Sequence, residues 1–202
     1  VLRPDEQMDH LGSVGREWAG SGAIRLLDEL RRGVADGDVG ELYSRTPWVF
    51  GGYWKNPEKT ADAFDGTWCS VGDMALRDGQ GFIHLVDRKS NMIISGGENI
   101  YPSEVESVLA AHPAVQDVAV IGLPDAKWGE AVLAVIVPRG DDAHEHLAEQ
   151  LTVWCRERLA GFKRPRRFQF IAETQMPRTA TGKIQHRALR DRLLAPQKAE
   201  HG

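Results

Sequence analysis

Apolar and polar residues alternate along Ala23-Ile24-Arg25-Leu26-Leu27 and Gly40-Glu41-Leu42-Tyr43-Ser44, as they do in strands buried on one face. Gly12, Gly15, Gly20, Gly22, Gly33, Gly37 and Gly40 punctuate this stretch with turns. Asn56 followed by Pro57 supplies an N-cap and a first-turn proline, which predicts a short helix running to Phe64. Trp68 to Ala75 and Phe82 to Asp87 predict two more strands, joined by a turn at Asp78-Gly79. Residues 1–87 therefore read as a small, β-rich unit.

After Asp87 the pattern changes. Asn91 to Ser95 predicts a short strand, and Pro102 to Leu109 a helix with acidic residues at its positive end. Val115 to Ile121 and Glu130 to Val137 are valine-rich strand candidates. Leu147, Leu151, Trp154 and Leu159 recur at helical spacing within His144 to Leu159. Arg167 to Ala172 predicts a strand, Ile184 to Leu194 a last helix, and Gln197 to Gly202 a frayed end. The order βαββαβα predicts a compact α+β domain over residues 88–202, so the fold class of the whole is α+β.

A length of 202 residues admits one large domain or two small ones, and 42% apolar residues suffice for a core. The net charge of −4 argues against a general nucleic-acid binder. It hides a basic stretch: between Gly161 and Arg192 nine Lys/Arg face only Glu173 and Asp191. That stretch is either a solvated face or a site for a phosphate-bearing small molecule. Cys69 and Cys155 match no metal spacing and read as reduced thiols of a cytoplasmic protein. No apolar stretch approaches the roughly 20 residues of a membrane span, and no basic-then-apolar leader opens the chain. The first residues, Val1-Leu2-Arg3-Pro4-Asp5, read as a cut or a split gene.

Candidate chemistry gathers in a few segments. Pro177-Arg178-Thr179-Ala180-Thr181-Gly182-Lys183-Ile184 delivers one lysine just after a glycine that permits a tight bend. It is either a surface turn or a device that brings a mobile positive charge to oxygens gathering negative charge. It is not a P-loop, because Pro177 stands where the first glycine should be and Ile184 follows the lysine. Asp73, after Gly72, offers two acceptor oxygens suited to a ribose diol. Arg88 carries a planar fork suited to ribose or phosphate, or to a salt bridge with Asp73 or Asp87.

Pro177–Ile184 and the earlier Asp87-Arg88-Lys89-Ser90-Asn91-Met92-Ile93-Ile94-Ser95-Gly96-Gly97-Glu98-Asn99-Ile100-Tyr101-Pro102, in this order and separation, resemble the C-terminal part of adenylate-forming enzymes. The closest likeness is to acyl-CoA and aryl-CoA synthetases. Gly12-Ser13-Val14-Gly15-Arg16, Gly51-Gly52-Tyr53-Trp54 and Thr67-Trp68-Cys69-Ser70-Val71-Gly72-Asp73 extend it over nearly the whole chain. Val71 departs from the Thr or Ser usual there.

The resemblance implies that residues 1–87 end a large N-terminal adenylation domain and that 88–202 form its mobile C-terminal domain. The parts that grip ATP phosphates and the acid would precede Val1, so the chain alone is expected to be inactive. Lys183 would serve adenylation, an effect worth about 10² to 10³ in rate for one donor. Asp73 and Arg88 would bind the ribose of ATP or AMP. Ser90, where relatives commonly carry Asp or Lys, would be the hinge between two poses, one presenting Lys183 and the other Gly96-Gly97. The glycines would let the pantetheine arm of CoA pass the backbone, with Trp128, Phe162, Arg164 and Arg166 completing the CoA site. Magnesium would arrive with ATP, a carboxylic acid would be the other substrate, and a protein acetyltransferase would modify Lys183. Three other readings stay open: a non-catalytic nucleotide- or CoA-binding module, an adenylation domain of a peptide synthetase, and luciferase-like oxidation. Against the peptide-synthetase reading, such domains usually carry Gly-Arg-x-Asp and Arg-Gly-x-Arg-Ile-Glu where this chain has Asp87-Arg88 and Ser95–Asn99.

Overall fold

Short strands joined by glycine turns pair with their neighbours, and early in the chain this builds one antiparallel sheet. In the computed structural model, which describes residues 1–140 and 144–199, the strands are β1 (Ser13–Gly15), β2 (Ala23–Leu27), β3 (Val39–Arg45), β4 (Phe64–Asp65), β5 (Trp68–Arg77) and β6 (Ile83–Arg88). Their order is β1-β6-β5-β3-β2, with β4 also on β5. Both Leu26 and Leu27 are buried although adjacent residues of a strand face opposite ways. The sheet accordingly carries two small apolar clusters, Leu26 with Ala75 and Ile83, and Leu27 with Tyr43 and Trp68. Helix α1 (Pro57–Ala63) starts as its sequence predicts: the Asn56 side chain accepts from the Lys59 amide at 3.0 Å. The two- and three-residue strands β1 and β4 are too short to leave a periodic trace and were not expected.

The chain divides into two compact units, Val1–Ser90 and Asn91–Gly202; the sequence placed the division after Asp87. The second unit holds β7 (Ile93–Ser95), β8 (Glu98–Ile100), α2 (Pro102–Ala110), β9 (Val115–Asp125), β10 (Gly129–Pro138), α3 (His144–Arg158), β11 (Arg167–Phe170) and α4 (His186–Ala199). Its order is thus ββαββαβα, with β8 added to the expected pattern. Strand β10 is central. It pairs with β9 antiparallel along its whole length, with β11 in parallel from Leu133 to Ile136, and with β7 at Gly129↔Ser95.

The valine runs of β9 and β10 have a simple cause: both faces of these strands are covered, so no alternation survives. Val118, Val120, Val132, Ala134 and Ile136 pack under α2 and α3 with Val105, Leu109, Leu147, Leu151 and Cys155. Ala119, Ile121, Leu133, Val135 and Val137 pack on the other side against Met176 and Leu189 of α4. Helix α4 begins at His186, not Ile184, and runs past Leu194 to Ala199. Of the segment expected to fray, residues 197–199 are helical and 200–202 lie outside the described residues. Among the described residues no helix is long and apolar enough to cross a membrane.

Two expectations follow. Leu151 is fully buried, so Leu151→Ala should cost about 2–5 kcal/mol in urea denaturation; a loss under about 1 kcal/mol would show that the site collapses freely. Cys69 and Cys155 are free and buried, and burial pushes the Cys155 thiol up to about 11. Neither should react with a thiol reagent at pH 8 until the protein unfolds.

Candidate functional site

The lysine segment is a hairpin in miniature. The Gly182 amide donates to the Thr179 carbonyl at 2.9 Å, and the Thr179 amide to the Lys183 carbonyl at 2.8 Å. Gly182 sits at φ +85° with open space beside it. Its role is therefore backbone handedness, as in three-residue hairpin loops with glycine in the left-handed position. Arg178 braces the turn: Nη1 donates to the Gly182 carbonyl at 2.7 Å while Nη2 pairs with Asp117 on β9. The Lys183 amide donates to Thr179 Oγ1 at 3.1 Å. The backbone of Lys183 is thus fixed at both ends, and its side chain is exposed with no ion pair among the described residues. Just beyond, His186 Nε2 meets Glu106 Oε1 at 2.6 Å, and the same oxygen accepts the Val120 amide.

Gly96-Gly97 is the two-residue loop of the β7–β8 hairpin, with Ser95 opposite Glu98. Both glycines have positive φ, +62° and +86°, the requirement of a type I′ turn. They differ in surroundings. A Cβ on Gly96 would lie 2.9 Å from the Trp128 ring, whereas one on Gly97 would meet nothing within 4 Å. The Gly96 amide also donates to the Trp128 carbonyl at 2.8 Å.

Trp128 is itself held from below. The Asp125 carboxylate accepts the amides of Trp128 at 3.0 Å and Lys127 at 2.9 Å. Those hydrogen bonds, helped by the charges of Arg166 and Arg167, keep the Asp125 carboxyl below its ordinary range. The Arg166 guanidinium lies 4.2 Å from the Trp128 ring centroid and the Lys127 ammonium 4.8 Å from it. Glycine backbone, indole and cations thus share one surface.

The other two basic-segment residues have separate situations. Arg164 donates to the carbonyls of Leu159 at 2.9 Å and Arg156 at 3.0 Å, capping the C-terminal end of α3. Phe162 is 41% exposed on a short 3₁₀ turn, Gly161–Lys163, beside Lys163, which pairs with Glu104. Trp128 and Arg166 are brought together at Gly96; Arg164 is occupied by its helix.

In the first unit Asp73 and Arg88 are cross-strand partners on β5 and β6. Arg88 Nε lies 2.9 Å from Asp73 Oδ1, and Nη1 donates to the Val71 carbonyl at 3.1 Å. The salt bridge to Asp73 is therefore present. Ser90 is the last residue of this unit, inside the 3₁₀ turn Lys89–Asn91. Lys89 anchors that turn on Glu41 at 2.8 Å. Among the described residues no group of three or more His, Cys, Asp or Glu side chains is arranged to hold a metal.

The model of the AMP-binding enzyme C-terminal domain matches residues 104–183. Residues 104–183 are thus similar to an AMP-binding enzyme C-terminal domain. The chain is 45% identical over 161 residues to a feruloyl-CoA synthase of an Amycolatopsis species, a match covering 80% of this chain and 32% of that protein. It is 40% identical over 198 residues to a medium/long-chain-fatty-acid–CoA ligase of Mycobacterium tuberculosis, covering 96% of this chain and 34% of the relative. Its structure resembles the o-succinylbenzoate CoA synthetase of Bacillus subtilis in complex with its acyl-adenylate intermediate, with a TM-score of 0.79 and 35% identity over 94% of this chain and 38% of that one. The chain spans about a third of the length of the curated relatives it matches.

Sequence reasoning passed over Arg178, Asp117 and Asp125 as functional supports. Only Asp125 left a signal, an Asp two and three residues before amides it can accept, as in Asx turns.

The bracing of the lysine turn is open to measurement. Arg178→Ala should speed amide hydrogen exchange at Gly182 and Lys183 by about tenfold or more relative to wild type; unchanged exchange would mean the turn holds itself. Gly96→Ala should cost about 1–3 kcal/mol through its positive φ and shift Trp128 fluorescence. Gly97→Ala should bear only the backbone cost and leave the fluorescence unchanged.

Proposed function

We propose that the protein is an ATP-dependent carboxylic acid–CoA ligase, or the C-terminal part of one. The observation that carries this reading is the Gly96-Gly97 turn lying against Trp128, with Arg166 over the ring, in the same unit as the braced Lys183 hairpin. The first surface suits a slender thiol-bearing arm that ends in an aromatic base and phosphates. A glycine backbone admits the arm, an indole stacks the base, and a guanidinium takes a phosphate. The names of the relatives, CoA ligases for feruloyl and fatty acyl groups, support the same class.

In the first half-reaction a carboxylate attacks the α-phosphate of ATP, forming acyl-AMP and releasing pyrophosphate. Lys183 meets the negative charge that gathers on the acyl and phosphoryl oxygens. Asp73 Oδ2 accepts from the ribose hydroxyls while Arg88 holds Oδ1, so one carboxylate serves both partners. In the second, the CoA thiol attacks the acyl carbonyl along the glycine turn and AMP leaves. Ser90 is the pivot between the arrangements that serve each step, and magnesium accompanies the ATP phosphates. Phe162 adds an exposed ring for the nucleotide end of CoA, while Arg164 contributes by fixing the end of α3. A cytoplasmic location is part of this reading and agrees with two unpaired, buried cysteines. An acetyltransferase that removed the Lys183 charge would switch off the first step.

In the complete gene product, Lys183→Ala should lower pyrophosphate exchange by roughly 10² to 10³. The same variant given preformed acyl-AMP and CoA should form thioester at close to the wild-type rate. Equal loss of both half-reactions would rule out a lysine dedicated to adenylation, and a wild-type protein with no CoA-dependent step would rule out the ligase.

A further inference from the structure

We propose that Glu130 is a positioning residue that holds the Gly96-Gly97 turn for the incoming thiol and ties it to the helix behind Lys183. This deepens the CoA-ligase reading and rests on it. Strand β7 meets β10 backbone to backbone only at its end, at Gly129↔Ser95 and through the Gly96 amide on the Trp128 carbonyl. Two residues before Gly96, the Ile94 amide finds a carboxylate in place of a carbonyl: it donates to Glu130 Oε2 at 3.0 Å. A side chain therefore completes the seam on which the glycine turn hangs.

The other carboxylate oxygen is also used. Arg190 Nη2 donates to Glu130 Oε1 at 2.7 Å, and Arg190 lies in α4, the helix that starts at His186 after the lysine hairpin. The Glu130 side chain is 20% exposed, so water screens this charge-assisted pair only in part. Gly122 on β9 provides the room: a Cβ there would lie 2.9 Å from Glu130 Oε2 and 3.0 Å from Ile93 Cγ2. Both partners of Glu130 are donors. A carboxylate accepts from both, whereas a glutamine amide has one acceptor oxygen and must turn its NH₂ toward a donor. The charge and the double acceptance are what this position needs.

Two variants test this. Glu130→Gln removes the second acceptor at constant size, and Gly122→Ala keeps the glutamate but pushes its tip aside. In the complete gene product, both should raise KM for CoA or slow thioester formation from preformed acyl-AMP by roughly tenfold to a hundredfold. Pyrophosphate exchange should stay within about twofold of wild type, since Lys183 is held by Arg178 and not by Glu130. In the 202-residue chain, amide exchange at Ile94 and Gly96 should quicken by about tenfold in each variant. A proportionate fall in both half-reactions would reduce Glu130 to a general structural residue, and an unchanged CoA step would remove it from positioning. If wild type itself lacks a CoA-dependent step, the ligase reading fails. The exchange measurement then still decides whether Glu130 holds the turn, and unaltered exchange at Ile94 would overturn that.

Discussion

The second unit depends on the antiparallel pairing of β9 with β10. These two strands run together from Val115↔Pro138 to Asp125↔Gly129, and both of their faces are covered. At roughly 25 cal/mol per Å² of apolar surface removed from water, such a doubly covered pair is the largest single source of burial in this unit. Everything with chemical promise is attached to its ends or edges. The turn between the strands carries Trp128. The edge of β10 beyond Trp128 holds the glycine hairpin, and the side chain of Asp117 on β9 reaches the lysine hairpin through Arg178. A rigid pair with mobile work at its margins is what precise sites on a scaffold require.

Attachment of the margins is electrostatic where the core is apolar. Arg178 to Asp117 fastens the lysine hairpin, and His186 to Glu106 and Arg190 to Glu130 fasten α4. Each carboxylate is partly shielded, so water screens these contacts less than it screens fully exposed ones. In all three the carboxylate also accepts a backbone amide: Val118 for Asp117, Val120 for Glu106 and Ile94 for Glu130. Acidic residues thus do double service, as charge partners and as substitutes for missing ladder carbonyls.

How far the sequence revealed this depended on the range of the interaction. The valine runs of β9 and β10, the Asn56-Pro57 helix start and the period of α3 are local patterns and were legible. The strand Glu98–Ile100 was not. It has three residues, two of them polar, and the Gly96-Gly97 pair before it is read there only for its bare backbone, although glycine pairs also mark type I′ hairpins. Ile184 was assigned to the last helix, but it pairs with Arg178 across the lysine turn, and the helix waits until His186. The resemblance assigns Arg164 and Arg166 alike to the CoA site. Nothing local distinguishes Arg166, which reaches an indole, from Arg164, which reaches helix carbonyls. Glu130 and Asp117 were invisible for a different reason, since the groups they serve lie 36 and 61 residues away.

The Lys183 hairpin divides order unevenly within one residue. Its backbone is fixed by the Thr179 carbonyl and amide contacts and by the Arg178 brace, while the four-carbon stem is left in water. Rotamer entropy of a lysine is worth up to about 2 kcal/mol at room temperature, and folding leaves most of it intact here. That loss is deferred to the moment when a negatively charged ligand captures the ammonium group. Part of the attraction is then cancelled by immobilising the stem, so the grip on any single anion stays modest. A charge held this way is released as readily as it is engaged, which suits a group that must let go of one reacting centre before the next arrives.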